Sequence, residues 1–428
     1  METLIKKLVN AESGEVKALL WSFAYFFFLL STYYMLLPLR DAMGLEGGTK
    51  NLPWLFTATF AATLITAPLQ AAVAAKLPRV RFVQVIYLFL VANMLIFWFL
   101  LRAGISPVGV ARAFFVWITV FSVFTVSVFW SFMSDLYSSE QSKRLFGFIA
   151  AGGSLGSILG PILTRQLVEP IGKANLLLVS ATLLVLAVVC ATKLNSAALA
   201  AQAANKDFVA ASAGKAKQAV GGGIFDGFKL LFTSPYLGGI ALWVFLLSLM
   251  GTFLYFKQAD IVSAITSDAA GRTKIFATIA LWVGILSFLV QVLLTGRVIK
   301  SVGTGVAAAL LPLVFALGFV ALAVAPVLMV VAGFQAVQRA TNFGIANVAR
   351  ESLWTVVSRD EKFKAKNIVD GSVFRGADAV NGWLSKLLAS LMSAPVLALV
   401  SAGIAAGWFA LSLALGRQQE KRAKSAGN

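Results

Sequence analysis

Long apolar runs recur from one end to the other of this 428-residue chain. Each is about twenty residues long, which is the length an α-helix needs to cross the hydrocarbon core of a bilayer. Charged residues make up 13% of the sequence, about half the fraction found in an average soluble domain. The sequence therefore predicts an all-α polytopic membrane protein with twelve transmembrane helices, at residues 18–39, 52–75, 82–101, 108–134, 145–168, 174–193, 236–258, 273–296, 305–325, 327–356, 367–392 and 395–416.

Basic residues gather on one side of these predicted spans. Lys and Arg accumulate in the cytoplasmic loops of membrane proteins, and here they concentrate before the first span and after the even-numbered ones. This asymmetry predicts that both termini lie in the cytoplasm. The net charge of +18 has the same explanation, so we expect the lipid bilayer, and no nucleic acid, as the partner of these charges.

A stretch rich in Ala, Gly, Ser and Lys runs from Asn195 to Gly223, a composition typical of a flexible linker. We expect an N-terminal six-helix half at 1–194, a cytoplasmic linker at 195–228 and a C-terminal six-helix half at 229–428. Three short matches between the halves, at offsets of about 217 to 221, indicate an internal duplication in which Arg40 aligns with Lys257. Two such halves are typical of the major facilitator architecture.

The residue types present exclude several kinds of chemistry. The chain has no histidine and one cysteine, Cys190, so it has no histidine-dependent catalytic site and no intramolecular disulfide. No Walker-type phosphate loop occurs in the sequence either. We therefore expect no enzymatic activity, no catalytic residues, no metal and no cofactor, and transport that is driven by a gradient or an exchanged solute.

Polar and charged residues inside the apolar spans are the candidate functional residues, because each is costly unless it is paired or faces water. Arg40, Lys257 and Arg339 are predicted to form a cationic lining for an anionic solute, since a guanidinium group binds phosphate or carboxylate through two parallel hydrogen bonds. Arg339 and Arg350 are eleven residues apart, which places them on one face of a regular helix. The candidate solute-binding residues are Tyr33, Tyr34, Arg40, Asp41, Trp130, Lys257, Arg339, Asn342, Arg350 and Arg375.

Ion pairing and packing are the alternative roles of these side chains. Arg350 can pair with Glu351 or Asp378, and Arg375 with Asp370 or Asp378. Tyr33, Tyr34 and Trp130 can stack on a planar solute or simply pack in the helix bundle. Glu351, Asp370 and Asp378 are the candidate coupling or ion-pair residues.

The loops after the fourth and tenth spans share a pattern of serine, acidic and basic residues. This pattern predicts a cytoplasmic gate built from Glu140, Lys143, Arg144, Asp360 and Glu361. The alternative is that these charges only fix the topology.

In the fifth span, Gly152, Gly156 and Gly160 fall four apart on one face, which permits close approach of a neighbouring helix. The spacing of Gly147, Gly156 and Gly160-Pro161 also resembles a glycine-proline motif of antiporters. Thr164 stands where that motif prefers glycine.

Three blocks of residues carry a family resemblance. They are Tyr33 to Asp41; Phe129 to Asp135 with Glu140, Lys143, Arg144 and Phe146; and Arg339 with Arg350, Glu351, Lys362, Lys366, Asp370, Arg375 and Asp378. Together they resemble the ATP/ADP (NTP/NDP) translocase family, and more closely its shorter proteobacterial relatives. The resemblance implies twelve helices, a nucleotide or related phosphorylated solute, and antiport without hydrolysis. In the first block, Leu37 replaces the first basic residue of the family motif and Arg40 replaces its lysine.

We therefore expect a secondary active transporter of the bacterial inner membrane. It is predicted to be a monomer that exchanges nucleotides, or another phosphorylated or anionic solute, by alternating access. One alternative is a proton-coupled transporter or exporter of another organic solute, with Asp41, Glu351 or Asp378 as proton carriers. Another is a membrane scaffold or lipid-handling protein without a soluble substrate.

Overall fold

A computed structural model describes residues 15–204, 226–358, 361, 365–366 and 368–426, and these residues form helices and short turns without any strand. The α-helices are α1 Val16–Gly44, α2 Leu52–Lys76, α3 Arg79–Arg102, α4 Pro107–Leu136, α5 Ser139–Ala204, α6 Asp226–Thr233, α7 Pro235–Ile265, α8 Ala269–Leu293, α9 Thr295–Val324, α10 Leu328–Thr341, α11 Asn347–Leu353, α12 Phe374–Leu391 and α13 Ala394–Ala426. Two 3₁₀ turns, Thr49–Asn51 and Trp354–Val356, and two π segments, Asn342–Ala346 and Ile368–Val373, complete the described secondary structure.

The predicted all-helical fold is confirmed. Within the described residues, eight helical stretches are long and apolar enough to cross a membrane, and one of them, Arg144–Ala198, contains both the fifth and the sixth predicted spans. The tenth and eleventh predicted spans carry most of the intramembrane charges and are interrupted by π segments. The total of twelve spans stays a prediction.

The chain forms two compact units. Unit 1 contains the described parts of Met1–Glu46, Ala61–Lys217 and Asp268–Leu281, and unit 2 contains those of Gly47–Phe60, Gln218–Ser267 and Trp282–Asn428. Of the linker predicted at 195–228, the first ten residues continue α5 as far as Ala204, and residues 205–225 lie outside the described part of the chain.

Element boundaries repeat along the chain at one offset. α1 ends at Gly44 and α7 at Ile265, α4 begins at Pro107 and α10 at Leu328, and both pairs differ by 221 residues. The same offset relates the two segments that each unit takes from beyond its own half, 47–60 and 268–281. The duplication is therefore visible in the secondary structure. At this offset Lys257 lies one helical turn further from its helix end than Arg40 does, so the two residues are not equivalent.

Close packing at glycines and contacts between aromatic rings hold the helices of unit 1 together. A Cβ atom on Gly160 would lie 2.7 Å from the backbone of both Ser31 and Met35 in α1. This confirms the predicted close approach, and the Thr164 hydroxyl donates a hydrogen bond of 2.7 Å to the Met35 carbonyl across the same seam. Behind it, the buried Tyr25 ring packs against Phe129 at 4.9 Å.

The chain reverses direction at Gly172 inside α5. This residue has a φ of 78°, a left-handed conformation that glycine adopts without strain. It separates a first limb, 139–171, which runs parallel to α1, from a second limb, 173–204. The second limb runs antiparallel to α3, as the hydrogen bonds of Trp98 to Asn175 and of Gln84 to Thr192 show.

Unit 2 has its own core around Trp243, Phe315 and Trp408, which are fully buried. Gly305 in α9 and Gly416 in α13 face each other so closely that neither has room for a side chain.

The π segment Asn342–Ala346 lies between α10 and α11. A π turn holds one more residue than an α turn, which rotates the residues after it by roughly 100° about the helix axis. The expectation that Arg339 and Arg350 share one helix face was therefore wrong, because it assumed a regular helix.

Candidate functional site

Arg40 is the principal intramembrane cation of unit 1. It lies one turn before the end of α1, and its side chain is only 16% exposed. One guanidinium nitrogen lies 3.2 Å from the carboxylate of the buried Asp41, and the guanidinium carbon lies 3.9 Å from the centre of the Phe115 ring. The buried Nε atom has no hydrogen-bond partner within the described structure. The group is thus held in place by a ring and one carboxylate.

The aromatic candidates of unit 1 differ in their surroundings. Tyr33 and Tyr34 are both half-buried on α1, and their rings meet edge to face at 5.1 Å. Trp130 packs against three phenylalanine rings, those of Phe26, Phe129 and Phe146, at 5.1 to 5.5 Å. Trp130 therefore makes the contacts of a packing residue, whereas the two tyrosines retain exposed ring surface.

Lys257 lines a cavity of about 630 Å³ in unit 2. Asp260, one turn further along α7, lines the same cavity. Its carboxylate accepts a hydrogen bond from the Thr49 hydroxyl and is attracted by the nearby positive charge of Lys257. Most of the other lining side chains are apolar.

Arg339 lies in the last turn of α10, next to a chain of glutamines. Gln335 donates a hydrogen bond of 2.6 Å to Gln258 of α7, and Gln338 donates one of 2.9 Å to Gln335; all three are buried. The Oδ1 atom of Asn342, which opens the π segment, is buried without a partner in the described structure. Sequence reasoning singled out Arg339 and Asn342 but missed the glutamines, although uncharged amides in apolar spans also require partners.

Arg350 belongs to a cluster of four charges in unit 2. Its guanidinium lies 3.4 Å from Asp370 and 3.7 Å from Glu351, while Lys366 pairs with Glu351 and lies 3.9 Å from Asp370. The expected pair with Glu351 is present. Asp370 pairs with Arg350, whereas the sequence had suggested Arg375, because the π segment Ile368–Val373 alters the register of these side chains.

A second polar network joins α7 to α12. The Ser248 hydroxyl donates a hydrogen bond of 2.7 Å to Asp378 and accepts one of 3.0 Å from the Asn381 side chain. Arg375 lies 3.6 Å from the same Asp378, as one of the predicted pairings required. Asn381 is fully buried, and its Oδ1 atom has no partner in the described residues. Ser248 and Asn381 are site residues that the sequence analysis did not identify.

The predicted gate residues lie in different environments. Glu140 is exposed at the start of α5, and Arg144 pairs with Glu15 at 3.1 Å, a residue that sequence reasoning did not consider. Glu361 accepts a hydrogen bond of 2.8 Å from the Ser358 hydroxyl. The Lys143 side chain and the whole of Asp360 lie outside the described residues.

Three solved structures that are similar to this chain are transport proteins. A mutant form of the nucleoside transporter NupG is 13% identical with a TM-score of 0.66, and the match covers 93% of this chain and 99% of that one. A POT family transporter in complex with 5-aminolevulinic acid is 12% identical with a TM-score of 0.61, covering 93% and 96% respectively. A bacterial homologue of the human lysosomal transporter Spinster is 14% identical with a TM-score of 0.54, covering 96% and 99%. The chain shares its helical fold with these membrane transporters.

The sequence identifies the family within that class. The profile described as TLC ATP/ADP transporter matches residues 113–417, well over half of the chain. The chain therefore belongs to the TLC ATP/ADP transporter family, as the motif resemblance implied. No curated protein sequence matches it significantly.

Proposed function

We propose that the protein is a secondary transporter that exchanges a phosphorylated anionic solute, with nucleotides as the leading candidates, by alternating access. The family match over residues 113–417 carries this proposal. That match does not extend to Arg40, so the role of this residue is supported by its geometry and by the motif resemblance. A partly buried guanidinium suits phosphate, because hydrogen bonds between charged groups are the strong ones.

Transport by reconstituted protein tests the proposal. Liposomes loaded with ADP should take up labelled ATP faster than empty liposomes, and external unlabelled nucleotide should compete. Arg40→Gln should slow this uptake severely, whereas Arg112→Gln, which removes an exposed arginine of the same unit, should not. Uptake that ignores the internal solute would contradict exchange.

A proton-coupled transporter of another organic solute is the second candidate, and the Ser248, Asp378 and Asn381 network favours it. Asp378 lies within the bundle of unit 2 with a hydroxyl donor and an arginine beside it. A carboxylate inside an apolar bundle is a recurrent proton carrier in transporters. In this case an imposed pH gradient should drive uptake without internal nucleotide, and Asp378→Asn should abolish the pH dependence.

We also propose cytoplasmic termini on the distribution of the basic residues, together with a bacterial inner-membrane location and a monomeric state. A phosphatase that is active only outside the cytoplasm should stay inactive when it is fused to the C-terminus. Activity of that fusion would reverse the topology.

A further inference from the structure

The cavity of about 630 Å³ in unit 2 has a composition that a nucleotide site does not explain. It lies between α7, α9, α12, α13 and the 3₁₀ turn before α2. Its volume is within the usual range for small-molecule sites. Several charged and many apolar side chains line the cavity. This composition is expected for the binding site of an amphipathic ligand.

The charged part of the lining is cationic. Lys50, Lys257 and Lys386 face a single carboxylate, that of Asp260, which is already hydrogen-bonded to Thr49. In the described part of the chain, neither Lys50 nor Lys386 has a carboxylate within 4 Å, and Lys386 lies over the Trp383 ring at 5.4 Å. Both lysines are exposed, so their ammonium groups are accessible to an anionic headgroup at the membrane surface. The cavity therefore has an excess of positive charge available to a ligand.

Most of the remaining lining is apolar, apart from the hydroxyl side chains of Thr49, Ser385, Ser390 and Ser401. Phe253, Phe256, Phe319, Met392 and Leu397 contribute aromatic and aliphatic surface. A nucleotide would bring a sugar and a base whose polar groups need partners when they are buried. An alkyl chain needs none, so the apolar part of this cavity suits a hydrocarbon tail.

Exposed apolar residues flank the cavity along the chain. Leu391 is 70% exposed directly before the lining residue Met392, and Val324 is 82% exposed two residues after the lining residue Leu322. Val396 and Leu399, on either side of Leu397 and Ala398, are exposed as well. In a membrane transporter, exposed apolar side chains of this kind face acyl chains. The cavity thus adjoins a surface that lipid covers.

We propose that this cavity binds an anionic phospholipid. The phosphate group is held by Lys50 and Lys386, and one acyl chain lies among Phe253, Phe319 and Leu397. The inference goes beyond the proposed transport function, because it assigns a lipid to a site in unit 2 that needs no transported solute. A soluble phosphate compound has the same phosphate chemistry as the lipid headgroup but lacks the acyl chain. An experiment can therefore distinguish a bound phospholipid from a bound soluble phosphate compound.

Lipid binding to the purified full chain in detergent tests the proposal. Phosphatidylglycerol, phosphatidylcholine with the same acyl chains, and inorganic phosphate are titrated separately, with bound lipid counted by native mass spectrometry. Phosphatidylglycerol should bind selectively. Each lysine near an anionic headgroup contributes about 1 kcal/mol, so Lys50→Gln with Lys386→Gln should weaken binding about thirtyfold.

A double variant of two exposed lysines elsewhere, Lys17→Gln with Lys421→Gln, is the matched control and should retain the wild-type affinity. Ala398→Leu, which narrows the apolar part of the cavity, should also weaken binding of the lipid. The proposal is overturned if phosphatidylcholine binds equally well, if the Lys50 and Lys386 variant binds normally, or if inorganic phosphate or ATP displaces the lipid. The assay needs no transport, so its failure leaves the exchange proposal untouched.

Discussion

The same helix seam is built in opposite ways in the two units. In unit 1, α1 and the first limb of α5 meet through glycines whose missing side chains let the backbones touch. In unit 2, α7 and α12 meet through the hydrogen bonds of Ser248, Asp378 and Asn381. At the offset of 221, Gly160 corresponds to Asn381 and Phe27 to Ser248. One duplicated plan has thus become a contact mainly between backbones in one unit and a network of side-chain hydrogen bonds in the other.

This difference indicates which of the two units has helix contacts that can rearrange. A seam of backbone contacts has one good arrangement, because interiors are close-packed and deform poorly. A seam of hydrogen bonds and charges can exchange partners, and unit 2 also holds both π segments, which are frequent at functional sites. We infer that unit 1 is the more rigid unit and that unit 2 holds more of the residues that respond to a solute or proton.

The largest effect should come from disrupting the close contact between α1 and the first limb of α5. Gly160→Leu places a side chain against the backbone of Ser31 and Met35, and overpacking of this kind costs about 3 kcal/mol. The unfolding temperature should fall sharply. Gly147→Leu, at a glycine with open space around it, is the control and should be tolerated; equal losses in both variants would mean that the seam is not closely packed.

The next effect concerns anion binding. Arg40→Gln removes a charge-assisted contact worth about 1.5–3 kcal/mol, so the nucleotide affinity of the folded protein should fall at least tenfold. Lys257→Gln should also weaken nucleotide binding if Lys257 contributes to the solute site. Isothermal titration calorimetry on both variants measures this, and unchanged affinity in both would remove them from the site.

Arg350 should behave in the opposite way. Its side chain is 16% exposed and pairs with two carboxylates that are themselves partly exposed to water. Arg350→Ala should therefore destabilise the protein by about 1–3 kcal/mol, less than a fully buried pair would, before solute preference changes. Combining it with Asp370→Ala should restore part of the loss. A stable Arg350→Ala protein with altered solute choice would instead place Arg350 in the binding site.

The smallest effect is expected at the predicted gate. Exposed charge pairs are worth about 0–1 kcal/mol each, and Glu140 is exposed. Glu140→Gln with Glu361→Gln should leave stability unchanged and alter only the transport rate, measured as initial uptake into liposomes. If the rate is also unchanged, these residues act on topology alone.

Regular features were predictable from the sequence, whereas contacts distant in sequence were not. The apolar runs predicted helices, and the spacing of Gly152, Gly156 and Gly160 predicted close packing, because each depends on one helix only. The pair of Arg144 with Glu15 and the bond between Ser248 and Asp378 join residues more than a hundred positions apart. No local pattern encodes such contacts. The π segment at Asn342 was not predicted because a single extra residue hardly disturbs an apolar run.

The sharp turn at Gly172 bears on how the chain enters the bilayer during synthesis. An open loop would carry the unpaired N–H and C=O groups of every one of its residues through hydrocarbon, where such groups are costly. Here a single non-helical residue joins two long helical limbs, so almost no bare backbone has to be translocated. The two limbs of α5 form a helical hairpin with a very short turn. We therefore expect the two limbs to insert into the bilayer together.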